Sequence, residues 1–348
     1  MAAQERRPAK GAVAPTQTDV ARAAGVSGQT VSNVLRAPER VRPATRERVE
    51  QAIAELGYRP NRLAQALRES ASRMIGYRIE PLAPGALASI HDRFLHALAE
   101  AGRAADHHLV LFTAADEASE AEAVARMHRT GAADSFVLYD ITADDSRPAA
   151  LLAAGVPFVA FGRTATGVEA YPWVDVDNVV GTGSAVDHLV HRGHRRIAFI
   201  GWPAGQNVGD RRSEGFQQAI ERHGLTTSLG LEMRCEDSVT IAAQMAFHLL
   251  EQPDPPTAFV TATDTLAVGV MGAVHRWGLE VGRDVAIVGF DDTPTAAALD
   301  LSSIRQPIEL VGQRVIAALL GDLPADQQLL TPRLVIRGSS ASPARGVL

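Results

Sequence analysis

Several charged or polar residues stand at, or one residue beyond, the ends of short apolar runs. Arg163 follows Phe158–Phe161, Thr263-Asp264 follows Ala258–Thr261, Asp291-Asp292 follows Val285–Gly289, and Glu80 follows Ile75–Ile79. Gly209-Asp210-Arg211-Arg212 opens a segment that continues into Gly215-Phe216. If the runs are strands of open α/β sheets, their carboxyl ends line the crevice in which such folds hold ligands. Carboxylates and guanidinium groups facing one cleft bind adjacent hydroxyl pairs bidentately. A ring such as Trp202 or Trp173 can cover the apolar face of a sugar. Taken singly, a strand-end Asp is more often a cap or turn residue, and a Trp beside Pro is more often packing.

Catalytic and metal chemistries find less support. His188, His191 and His194 have a ligand-like rhythm, but the first two belong to a helix that Gly193 ends. Gly181-Thr182-Gly183 lacks the third glycine of a dinucleotide fingerprint, and no strand precedes it closely. Neither a nucleophile elbow nor a Walker loop occurs. Asp175 and Asp177 read as structure between two lobes, not as an acid/base dyad. Cys235 is the only cysteine, which excludes an internal disulfide and a cysteine-based zinc site. The expectation is a binding protein, not an enzyme, with neither cofactor nor metal.

A second polar set lies near the N-terminus. Thr18–Ala24 reads as a short helix, Gly25-Val26 as a turn, and Ser27 as the cap of a helix over Gly28–Arg36. Small Ala residues and Gly25 permit the sharp angle of a helix–turn–helix, with Val20, Val26, Val31 and Leu35 as its core. The second helix offers Gln29, Thr30, Ser32 and Asn33, side chains that bond base edges or phosphates. Pro43 opens a third helix to Leu56, which Gly57 stops. Asn61–Arg68 has helical composition but is too short to be stable alone. It carries Arg62 and Arg68, and an apolar Leu67 with nothing local to bury it. Such a segment makes sense as a hinge that folds on DNA, with Leu67 as a minor-groove wedge. Alternatively, Leu67 docks on the rest of the chain.

From Met74 onward, strands and helices alternate. Strands are expected at 75–79, 109–112, 136–139, 158–161, 197–200, 258–261, 285–288 and 334–336. Amphipathic helices are expected at 93–104, 179–191, 212–223 and 266–276. This alternation argues for doubly wound parallel sheets, and its length suffices for two lobes. The organisation expected is a disordered tail (1–15), a helix–turn–helix domain (16–60), a hinge and linker (61–73), a two-lobed body (74–338) and a C-terminal tail (339–348).

Charge follows the same division. The 348-residue chain has a formal net charge of −6, yet residues 1–68 hold 12 basic against 6 acidic residues, and the remainder 22 against 34. A basic head on an acidic body is expected when one end alone meets phosphate. The polar, Ala/Pro-rich N-terminus lacks the apolar stretch of a signal peptide, and no apolar run would span a bilayer, so a cytoplasmic protein is expected.

Asp19-Val20-Ala21-Arg22-Ala23-Ala24-Gly25-Val26-Ser27, Thr30-Val31-Ser32 and Glu55-Leu56-Gly57-Tyr58-Arg59-Pro60-Asn61 resemble the lactose-repressor (LacI/GalR) family, over essentially the whole chain except the tails. The resemblance implies a helix–turn–helix head on a body like periplasmic sugar-binding proteins. It further implies a homodimer, a pseudo-palindromic double-stranded DNA operator and a small-molecule effector. Base-reading positions correspond to Gly28, Gln29 and Asn33, phosphate-binding hydroxyls to Thr16, Ser27, Ser32 and Thr45, and hinge contacts to Asn61, Ala64 and Leu67. Gly28 has no side chain to read a base, and many members have Arg where Asn33 stands, so operator preference does not carry over. Ile287–Asp292 is similar to the family's effector loop, which gives Asp291 to ligand hydroxyls. Arg212 matches its ligand arginine, and Thr263 stands where many sugar-binding members have Asn. Glu80, Arg163 and Trp202 complete the expected effector set. Gly201-Trp202-Pro203 with Gly209–Arg212 looks most like repressors of cello-oligosaccharide and related glycoside genes. A non-sugar metabolite such as a purine is the alternative effector, and a sugar-binding protein without a DNA role is the alternative function.

Overall fold

Short helices need their exposed end groups satisfied, and the N-terminal segment does this locally. The computed structural model describes residues 15–58, 72–79, 90–164, 170–225, 230–321 and 327–343, in two units, Met1–Ser72 and Arg73–Leu348. In the first unit, α1 (Gln17–Ala24) opens with a reciprocal capping box. Thr16 Oγ1 accepts from the Asp19 amide at 3.3 Å, and the Asp19 carboxylate accepts from the Thr16 amide at 2.9 Å. Gly25, at φ +63°, ends the helix in the left-handed region that favours glycine. Ser27 then caps α2 (Gly28–Arg36) by accepting from the Thr30 amide at 3.1 Å. Pro43 occupies the first turn of α3 (Pro43–Leu56).

Val20, Ala21, Ala24, Val31, Val34, Val49 and Ala52 form the core of this unit. Val34 fills the place expected for Leu35, which is 40% exposed. Three residues on from Val31 the helix still faces α1 and α3, and one residue further it has turned outward. Gly28 is the first residue of α2, and a Cβ there would meet nothing within 4 Å, so the penalty for glycine in a helix interior does not apply.

The second unit is two α/β lobes. The N-lobe begins with β1 (Met74–Arg78), α4 (Ile90–Ala104), β2 (His108–Phe112), α5 (Glu117–Arg129), β3 (Ser135–Tyr139), α6 (Arg147–Ala153), β4 (Phe158–Phe161) and β5 (Trp173–Val176). The C-lobe follows with α7 (Asn178–His191), β6 (Ile197–Gly201), α8 (Asn207–Arg222), β7 (Glu232–Arg234), α9 (Val239–Leu250) and β8 (Ala258–Thr261). It continues through α10 (Asp264–Arg276), β9 (Ala286–Phe290), α11 (Pro294–Ala298) and β10 (Ser302–Arg305). The chain returns to the N-lobe for α12 (Ile308–Leu320) and β11 (Gln328–Leu330), then crosses back for β12 (Arg333–Val335) and α13 (Gly338–Ala341).

The N-lobe sheet has the order β11-β5-β4-β3-β1-β2 and is parallel throughout. The C-lobe sheet, β12-β10-β9-β8-β6-β7, is parallel except for β12. The N-lobe sheet is buried on both faces, one core involving α4 and α12 and the other α5 and the β3–α6 region. Such two-sided burial is why parallel strands read as near-continuous apolar runs.

The expected tail beginning at residue 339 starts too early. Ser339 and Ser340 are buried, with Ser339 Oγ donating to the Ile287 carbonyl at 2.7 Å and Ser340 Oγ bonded to Ser302 Oγ at 2.7 Å. Their hydroxyls satisfy buried backbone and a buried serine, so these residues belong to the C-lobe. Among the described residues, no helix is long and apolar enough to cross a membrane.

Candidate functional site

Gly209, Arg212, Gly215 and Phe216 recur on the inward face of α8, and this spacing buries the Arg212 side chain. Its Nε donates to Asn178 Oδ1 at 2.9 Å, Nη1 donates to the Ala262 carbonyl, and Nη2 lies 3.5 Å from Asp291 Oδ1. The guanidinium carbon sits 3.7 Å from the Phe290 ring centre and 5.4 Å from that of Trp202. Burial pushes the arginine below its ordinary pKa, while the carboxylates of Asp291, Asp237, Asp264 and Asp175 pull it back.

Asp291 follows β9 at φ +102°, and its Oδ1 accepts from Gln306 Nε2 at 2.6 Å. Burial raises its carboxyl above the usual range, against the opposing effects of the Arg212 charge and the Gln306 hydrogen bond. At 3.5 Å the Arg212–Asp291 contact is longer than a hydrogen bond. Asp291 Oδ2 accepts nothing else among the described residues. A guanidinium donor and a carboxylate acceptor thus stand side by side at the carboxyl ends of the C-lobe strands. That pairing suits two adjacent hydroxyls.

The neighbouring acids have other work. Asp264 accepts from the Thr293 amide at 2.7 Å, Thr293 Oγ1 at 2.9 Å and Ser303 Oγ at 2.6 Å, which pins the β9–α11 loop and β10 to the start of α10. Burial, reinforced by the charge of Asp291, pushes its pKa up to about 7. Asp292 is held by Arg305 and by Arg337, the latter at 2.7 Å. Asp177 caps α7.

Other expected contacts are partly spent within the protein. Thr263 caps α10, accepting from the Leu266 amide at 3.2 Å, and its hydroxyl donates to Asp237. Among the described residues the other carboxylate oxygen of Asp237 accepts nothing, so Asp237 rather than Thr263 keeps a free acceptor here. Arg163 pairs with Asp175 at 3.1 Å and lies over the Trp173 ring, while its carbonyl accepts from Asn207 of the C-lobe. Trp173 is buried in the N-lobe and cannot serve as an open platform. Trp202 stays half-buried beside Arg212, and its buried Nε1 has no hydrogen-bond partner among the described residues. Glu80 lies outside the described residues.

Reasoning from the sequence missed Gln306, Asn178, Asp237 and Asn207. Gln306 and Asn178 lie where the chain crosses between lobes, positions whose importance only the topology reveals. Among the described residues no group of His, Cys, Asp and Glu is arranged to hold a metal. His188 bonds to Ser340 and His194 to Thr257, so the histidines do not converge.

In the first unit, Gln29 is exposed and donates through Nε2 to Asn33 Oδ1 at 3.1 Å, one turn along α2. Thr16 and Ser27 are spent as caps, and Ser27 Oγ also bonds Thr30 Oγ1 at 2.9 Å. Ser32 and Thr45 are half-buried. The hinge residues Asn61, Ala64 and Leu67 lie outside the described residues.

A helix–turn–helix followed in the chain by a two-lobed α/β body, with a buried arginine–carboxylate pair at its strand ends, has the organisation of a ligand-responsive transcription regulator. Residues 16–61 match the model of the bacterial regulatory proteins of the lacI family, and residues 186–340 match a periplasmic binding protein-like domain. The chain is 33% identical to the HTH-type transcriptional regulator AglR of Rhizobium meliloti, over 93% of this chain and 94% of that one. It is 32% identical to CelR of Thermobifida fusca, over 92% and 95%. Among solved structures, a CelR–cellobiose complex matches with a TM-score of 0.69 at 29% identity, covering 93% of this chain and 99% of the other. The lac repressor dimer bound to operator and the anti-inducer ONPF matches with a TM-score of 0.79 at 28% identity, covering 93% and 98%. The chain belongs to the LacI family of bacterial regulatory proteins.

Proposed function

We propose that the chain is a homodimeric, sequence-specific DNA-binding repressor of carbohydrate-use genes, whose operator binding is controlled by a small sugar in the interlobe cleft. The observation that carries this reading is the buried Arg212–Asp291 pair, whose guanidinium lies over the Phe290 ring with Trp202 beside it. Its donor and acceptor suit vicinal hydroxyls, and the half-buried Trp202 ring suits the apolar face of a pyranose. Kinship with a regulator solved with cellobiose supports the ligand class, and kinship with a dimer solved on operator supports the assembly. In the head, Gln29 and Asn33 are the base readers, Thr30 meets a base edge or a phosphate, Thr16, Ser27, Ser32 and Thr45 lie along the phosphates, and Asn61, Ala64 and Leu67 belong to the hinge.

Thermal-shift measurements against mono- and oligosaccharides, cellobiose first, with purines as the contrasting class, test the proposal. Only the native fold gains from ligand, by about 2.7 kcal/mol at a hundredfold excess over Kd. A sugar that raises the midpoint should also change operator retention in gel shifts. Stabilisation by a purine and by no sugar would reject the sugar assignment.

A further inference from the structure

Asp291 keeps a backbone conformation that residues other than glycine rarely adopt, φ +102°. Such a conformation persists where its surroundings over-determine it, and here each polar group of the residue has its own anchor. The amide donates to the Ile304 carbonyl at 2.8 Å, the carboxylate accepts from Gln306 at 2.6 Å, and the carbonyl accepts from Arg93 Nη1 at 3.3 Å. The first two anchors lie on β10 and immediately after it. The third comes from the other lobe, because Arg93 is in the first turn of α4. Its Nη2 donates to Glu309 of α12 at 2.8 Å, so the guanidinium is held on the N-lobe side. The Glu309 side chain is 67% exposed, and an ion pair so exposed to water contributes little by itself. The distinctive contact is the bond across the cleft.

Resting on the reading of Asp291 as the residue that takes sugar hydroxyls, we propose that Arg93 is a positioning residue for the effector. By gripping the Asp291 carbonyl from the opposite lobe, it holds the carboxylate in its binding orientation while the lobes keep this placement. Without that grip, Asp291 is free to relax from its strained backbone, and the carboxylate turns with it. Effector affinity thereby depends on lobe placement through one side chain that need not touch the sugar.

The test uses the full-length protein, with cellobiose as the probe in calorimetry and ligand-free hydrogen exchange as a second readout. Arg93→Ala should bind cellobiose about 10-fold more weakly, as expected for losing a charge-assisted hydrogen bond that orients the site. Arg93→Lys, which keeps a cationic donor, should recover most of the affinity, and Glu309→Gln should stay within about 2-fold of wild type. Without sugar, the amides of Asp291, Asp292 and Thr293 should exchange about 10-fold faster in Arg93→Ala, while those of β8 keep wild-type protection. Wild-type exchange at these three amides in Arg93→Ala overturns the proposal, whether or not cellobiose binds. An equal loss of affinity in Glu309→Gln also overturns it, because the exposed ion pair would then carry the effect. If cellobiose fails to bind wild type yet exchange rises as described, the grip of Arg93 on Asp291 stands and the choice of sugar is what fails.

Discussion

Single side chains in this molecule do work that their neighbours have already prepared. Gln29 and Asn33 are joined by a hydrogen bond before any base is met, so both amides are held on one face of α2. With Gly28 silent, the direct readout proposed for this helix falls to these two side chains. Asn33→Arg breaks their bond and substitutes a group that prefers guanine for one that prefers adenine. Binding-site selection should then give a consensus changed at one symmetric pair of positions, with about 1–3 kcal/mol of discrimination there. An identical consensus from both proteins would reject the assignment. Asp264 supports a prediction in pH. Burial lifts its carboxyl from the ordinary value of 3.8 to about 7 in the fold. Between those values the folded chain keeps a proton that the unfolded chain releases, so stability falls as pH rises through this window. Trp173, Trp202 and Trp277, the chain's three tryptophans, all lie in the second unit, so their fluorescence follows that unit's unfolding. Wild type should lose about 1–3 kcal/mol more than Asp264→Asn between pH 4.5 and 7.5. Parallel pH profiles would remove Asp264 as the cause.

At the scale of elements, legibility depended on whether buried residues were apolar. α2 was readable to the residue because Ser27 and Gly25 mark its start and Val31 its inner face. The apolar runs gave β4 and β8 with their observed limits. By contrast β10 went unread, since Ser302 and Ser303 stand on its two opposite faces, both buried, where Arg337 and Asp264 satisfy them. β5 was hidden in the same way by buried Asp175, and β7 and β11 are three-residue strands with no period to detect. Arg212 and Asp291 were identifiable as candidates, but their anchors Gln306 and Asn178 were not. A crossing between lobes has no local signature in sequence. Close helix packing is equally silent until glycines are placed in space. A Cβ on Gly215 of α8 would lie 2.3 Å from the Val179 carbonyl oxygen and 2.8 Å from its Cα, both backbone atoms of α7. Gly215→Ala should therefore push the two helices apart and cost about 1–3 kcal/mol in denaturant unfolding followed by tryptophan fluorescence. Gly272→Ala, with nothing within 4 Å of the added carbon, should be neutral or stabilising by up to about 1 kcal/mol. Equal behaviour of the two variants would show that the α7–α8 contact yields without cost.

For the molecule as a whole, the question is how a ligand between two lobes can govern DNA occupancy by a head that lies far away in sequence. Three chain crossings join the lobes, and two of them are tied together where the Asp177 amide donates to the Leu330 carbonyl at 2.8 Å. Each lobe has its own buried core, so the soft coordinate is the placement of one lobe against the other. A ligand can bias that placement only by as much as its affinities for the alternatives differ. On the role proposed above, Asp291 would supply such a difference, because its carboxylate is on the C-lobe while its carbonyl is held by Arg93 of the N-lobe. Asp291→Asn keeps the size and an acceptor for Gln306 but removes the charge that strengthens bonds to sugar hydroxyls. Losing a charge-assisted hydrogen bond costs about 1.5–3 kcal/mol, so affinity for the effector sugar should fall roughly 10- to 100-fold. Ligand-free operator binding should remain within about 2-fold of wild type, since no base reader or phosphate contact is altered. Calorimetry with the sugar and gel shifts on a selected operator measure the two halves separately. Undiminished sugar binding would put the pocket elsewhere. An equal loss of ligand-free operator binding would instead make Asp291 a residue that holds the body in its DNA-competent form, and effector control would then have to enter through another side chain.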